Sequence, residues 1–150
     1  MTSRKATDLR ERTCERDDDL RDVLRFLLKR ANMRQMWLIF LDDENRIGDP
    51  LMPMDGYPDD PEELVTTDDL GELTHGRLLM HRAGMLRELT GNAAIVLVWE
   101  RTGRDAVDEE TRHWAGAMAE AAHDLGVPLR AQFLLHDSGI RQLQVDDYVR

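Results

Sequence analysis

A single cysteine, Cys14, among 150 residues excludes an internal disulfide framework. No apolar run approaches the roughly 20 residues that a membrane helix needs. The positive start Met1-Thr2-Ser3-Arg4-Lys5 has no apolar segment behind it, so it does not read as a secretory signal. Lysine is almost absent (Lys5 and Lys29), and Lys plus Arg total 20 against 30 Asp plus Glu, for a formal net charge of -10. Such a chain lacks the basic footprint that neutralises phosphate backbones, so no direct nucleic-acid contact is expected. Chemistry-bearing clusters are equally scarce. There is no HExxH, CxxC or His-x-His; His75 and His81 are six apart, and His113 and His123 ten apart, so neither pair shares a metal by helical spacing. The expectation is a cytoplasmic protein with no membrane partner and no cofactor.

With 41% hydrophobic and 33% charged residues, the composition is that of a globular protein. Its length suits a single domain over 1–150, in which 1–19 form a partly loose tail and helix. From Asp8 to Arg30 the chain reads as a helix, with Leu20, Val23, Leu24, Leu27 and Leu28 as its apolar stripe. That stripe suits packing on the domain's own sheet or a homodimer surface. Met36–Leu41 reads as a buried strand, Asp42–Arg46 as a turn and Ile47 as the start of a second extended segment. Gly48–Pro61 carries four of the five prolines and reads as a long irregular loop pinned by Leu51, Met52 and Met54. A helix capped by Thr67 or Asp68 is expected to run to about Thr90. Ala93–Trp99 is a second buried strand. Asp108 caps a helix carrying Trp114, Ala117, Met118, Ala121, Ala122 and Leu125, which stops at Gly126-Val127-Pro128. Leu129–Leu135 and Ile140–Val145 read as a hairpin. This order predicts an α/β or α+β fold, a mixed sheet flanked by helices.

Three blocks, in order, resemble the RadC-like branch of the JAB/MPN family, of cytidine-deaminase-like architecture. They are Leu20–Ile47 with its Leu41-Asp42-Asp43-Glu44-Asn45-Arg46 turn, Ala93–Gly103, and the helix ending Gly126-Val127-Pro128-Leu129 before a two-stranded close. The resemblance implies a zinc site in which two histidines and an aspartate hold the metal, and an open position lowers the pKa of bound water to about 7. Carried over by position, the histidines fall on Trp99 and Arg101 and the aspartate on Thr111, with Asp108 or Glu110 serving if the register shifts. Of the family's loop only Gly103 survives; Thr102 stands where its proline would be, and no glutamate between Ile47 and Met54 matches the water-activating one. Indole does not ligate zinc, and a guanidinium puts fixed positive charge where the cation belongs.

The resemblance with its ligands replaced implies a non-catalytic interaction or regulatory module, whose partner is an unknown protein or small ligand. Trp99, Glu100, Arg101 and Arg104 are the candidate recognition patch, since Trp and Arg are favoured at hot spots. The competing expectation is that Trp99 fills the metal's place while Arg101 pairs with Asp105, Asp108 or Glu110. A second functional expectation is a hydrolase using acids of Asp105–Glu110 with His113. A third, by family analogy, is an accessory role in DNA repair. His136-Asp137-Ser138 has triad letters but lies in a tight turn, and Cys14, read as part of a charged helix, has no histidine beside it.

Overall fold

Strand formers buried on both faces mark Ala94–Glu100 as the centre of the molecule, and every layer is arranged around it. The computed structural model describes residues 12–148. In chain order these form α1 (Asp17–Leu28), β1 (Gln35–Leu41), β2 (Ile47–Met54), β3 (Leu64–Thr67), β4 (Gly71–Thr74), α2 (His75–Leu89), β5 (Ala94–Glu100), α3 (Glu109–Leu125), β6 (Leu129–His136), β7 (Gly139–Gln142) and α4 (Val145–Tyr148). A five-stranded mixed sheet has the order β2-β1-β5-β6-β7, and β3-β4 form a small separate hairpin. β5 lies antiparallel to β1 and parallel to β6, with α3 as the crossover. The fold is therefore α+β.

Because side chains alternate along a strand, β5 feeds two cores. Ile95, Leu97 and Trp99 join Met36, Leu38 and Phe40 of β1 against Met80 and Ala83 of α2 and Trp114 and Met118 of α3. Val96 and Val98 meet Ile39, Leu41, Phe133 and Leu135 on the opposite face, covered by Leu20, Val23 and Leu24 of α1. The apolar stripe of α1 thus packs on the molecule's own sheet.

Five expectations are corrected. Among the described residues the first helix spans Asp17–Leu28 and residues 12–16 before it are not helical; the part of the expected helix at 8–11 lies outside the described residues. Cys14 precedes that helix and is buried in the α1-side core. Its N–H donates to Asn45 O at 2.6 Å, and burial pushes its thiol pKa up. The proline-rich segment is not all loop: Ile47–Met54 is an edge strand that includes Pro50 and Pro53. An edge tolerates proline because one side of the strand needs no N–H donor. Finally, α2 starts at His75, with Thr74 as cap, its Oγ1 accepting from Arg77 N. The stretch before it is the β3-β4 hairpin, turning at Gly71 with φ +69°. The last strand also stops early, at Gln142, and Val145–Tyr148 is a helical turn. The cap and stop of α3 are as the sequence predicts: Asp108 accepts from Thr111 N, and Gly126 takes the left-handed conformation. No helix among the described residues is long and apolar enough to cross a membrane.

Candidate functional site

The C-terminal end of β5, the first turns of α3 and the segment following β2 meet at one corner of the sheet. Trp99 points into the α2/α3 core with no exposed surface. Its Nε1 donates to Gln132 Oε1 at 2.8 Å, and Gln132 Nε2 donates to Ala115 O at 2.9 Å, so the indole's one donor is satisfied through a buried amide. Its ring lies 5.8 Å from Trp114 and 6.0 Å from Tyr57, which is itself 5.2 Å from Trp114. Both Tyr57 contacts are edge-on, the arrangement that ring quadrupoles favour. Trp114 Nε1 donates to Pro58 O at 3.0 Å, fastening the segment after β2 over this cluster.

Glu100, the next residue, faces the other way, as strand alternation requires. Its carboxylate is a structural hub. Oε2 accepts from Asn32 N at 2.9 Å and Met33 N at 3.1 Å, while Oε1 accepts from Trp37 Nε1 at 2.8 Å and Gln35 Nε2 at 3.0 Å. Burial is the largest single influence and pushes its pKa up, but the four donors together hold it below the ordinary glutamate value.

Arg101 is 9% exposed. Its Nη1 donates to Glu100 O at 2.8 Å and its Nη2 lies 3.4 Å from Glu110 Oε1. Of the three acids expected to pair with it, Glu110 is the one the structure brings into contact. Arg34 reaches the same oxygen, with Nε at 2.7 Å, and stacks 4.0 Å above the Tyr57 ring. It also donates to the carbonyls of Tyr57 and Pro58. Burial raises the Tyr57 pKa, opposed by the neighbouring Arg101 and Arg34 guanidiniums. Tyr57 Oη, Arg101 Nε and Thr111 Oγ1 are buried without a hydrogen-bond partner. Thr111 has no exposed surface and sits in the first turn of α3, where the resemblance places the aspartate.

Of the four candidate recognition residues, Trp99, Glu100 and Arg101 are buried, and Arg104 is exposed on the loop before α3. Among the acids from Asp105 to Glu110, Asp108 is engaged as a helix cap and Glu110 by two arginines. His113, one turn further along, faces other carboxylates, with Asp60 and Glu62 3.9 and 3.7 Å from its ring nitrogens. His136 Nδ1 accepts from Ser138 N at 3.2 Å within the β6-β7 turn, so that histidine serves the turn.

Sequence reasoning missed Tyr57, Arg34 and Gln132. Tyr57 carried a usable signal, as the one aromatic in an acidic, proline-rich segment. Arg34 and Gln132 carried none, because their partners lie 76 and 33 residues away. Neither protein-family models nor curated proteins yield a match to this chain.

Proposed function

We propose that this protein is a non-catalytic JAB/MPN-like domain, a pseudoenzyme that acts as a protein-interaction or regulatory module. The observation that carries the reading is the occupancy of the inherited metal corner by the chain's own side chains. Trp99 and Thr111 have no exposed surface, and Arg101 is nearly buried between Glu100 O and Glu110. A catalytic zinc keeps an open coordination position for water. Here an indole and a guanidinium stand at that corner, neither of them able to ligate a cation. The order of the parts also supports the reading: a buried strand, a Gly103-containing loop, a helix closing on Gly126-Val127-Pro128 and a two-stranded end.

Arg104 is the exposed member of the proposed recognition patch, which supports a partner surface on the loop 102–107 around it. The test combines metal analysis with an activity assay. Zinc supplied in excess should produce no hydrolysis of peptide substrates and no tightly held ion in the 99–111 region. Stoichiometric zinc that persists in H113A and requires residues of 99–111 overturns the reading. The hydrolase alternative predicts turnover that falls in both E110Q and H113A.

A further inference from the structure

We propose that one end of the sheet, where loop 29–33, loop 101–104 and the β6-β7 turn converge, docks an acidic, partly apolar segment of a partner protein. The inference rests on the reading of the loop around Arg104 as a partner surface, and it names the partner's chemistry. Most arginines of this acidic chain are paired with carboxylates. Among the described residues, Arg25, Lys29, Arg30 and Arg104 are exposed and make no ion pair. Two other cations without an ion pair lie elsewhere, Arg16 ahead of α1 and Arg112 on α3. The backbone brings the first four to one end. Lys29 caps α1, its N–H donating to Arg25 O at 2.9 Å. Ala31 N, next to Arg30, donates to His136 O at 2.9 Å, and Asp137 N donates to Gly103 O, next to Arg104, at 3.0 Å. Asp105 and Asp137 are the exposed acids beside them, and neither forms an ion pair with the four among the described residues.

The surface is held in place before any partner arrives. Asn32 N and Met33 N both donate to the buried Glu100 carboxylate, so Glu100 is a positioning residue for the loop. Less ordering is then left to be done on binding. Met33 is 40% exposed and supplies an apolar contact beside the cations, with a thioether that adapts to irregular partners. Guanidinium and ammonium groups only donate, and the guanidinium fork matches a carboxylate bidentately. A long polyanion meets the field of the whole molecule, whose net charge is -10. A short segment with a few carboxylates engages the local cations within a screening length of about 8–10 Å. No aromatic side chain among the described residues is exposed to stack on bases, which also favours peptide over nucleic acid.

Fluorescence anisotropy of the whole chain with a labelled synthetic peptide, glutamates and leucines spaced by serines, tests the proposal at low salt. Saturable binding is expected, weakening as salt rises and lost when lysines replace the glutamates. The triple variant K29A/R30A/R104A should bind at least about tenfold more weakly, since each charge contact contributes a modest share. These side chains are exposed and without ion pairs among the described residues, so the variant should keep the parent's thermal midpoint. R77A, which removes an exposed arginine paired with Asp124, should bind as the parent does. Backbone amide shifts on peptide addition should concentrate in 29–33, 101–105 and 136–139. Absence of saturable binding, binding unchanged in the triple variant, or tighter binding of a single-stranded oligonucleotide or a phosphatidylserine vesicle each overturns the surface. Zinc held in 99–111 overturns the pseudoenzyme reading without altering the peptide result, and a failed peptide titration leaves the metal result as it stands.

Discussion

At the scale of single residues, three members of the candidate recognition patch, Trp99, Glu100 and Arg101, are tied into the fold itself. Glu100 is the sharpest case, a buried carboxylate with four donors, two of them backbone amides of Asn32 and Met33. In Glu100→Gln one amide group necessarily turns its own N–H bonds toward donors. The expected loss is about 2–3 kcal/mol at neutral pH, measured by urea denaturation. Because the folded pKa lies below the ordinary value of 4.5, this stability is fully present above that value. It is lost as pH falls through the depressed folded pKa, so the gap between parent and variant should narrow only in that acidic range. Equal stability at pH 7 would show that the hub contributes nothing. The identity of Glu100 was legible as a candidate, but its role was not, since its donors lie more than sixty residues away in sequence.

Elements differ in how far local signals decide them. Helix α3 was legible throughout, because its cap Asp108, its apolar period and its Gly126 stop all act within a turn or two. The region before α2 was not. Thr67 Oγ1 does accept from Leu70 N, as a helix cap would, yet the chain goes on into the β3-β4 hairpin. The local cap signal was real and the element it announced was wrong, since a hydroxyl–amide bond serves turns as well as helices. α2 also makes a close approach that no periodicity encodes. A Cβ on Gly84 would stand 2.8 Å from Val127 Cγ2, at the junction of α3 and β6. Gly84→Ala should therefore cost about 1–3 kcal/mol from overpacking, despite the helix preference for alanine. Adding Val127→Ala should recover most of that loss; if the double variant is no better than the single, the clash is not the cause.

For the molecule as a whole, a net charge of -10 governs encounters. Duplex DNA should not be retarded by this protein in a gel at about 50 mM salt, and a band shift that fades as salt rises would contradict that expectation. Composition also bounded the size, and alternating or continuous apolar runs gave β1, β5 and β6, because burial on one or both faces leaves its period in the residues. The proline-rich strand β2 escaped that logic: Pro50 and Pro53 are tolerated only because β2 forms an edge, and edge position belongs to the assembled sheet. The sequence by itself determined that Trp99 and Arg101 offer no zinc ligand, since that is a matter of side-chain identity. Tertiary structure alone decided that Trp99 closes the corner with Tyr57, Trp114 and Gln132, that Glu110 joins Arg34 to Arg101, and that His113 faces Asp60 and Glu62. Those contacts join residues from distant parts of the chain, and hydrogen bonds and packing act through space rather than along it.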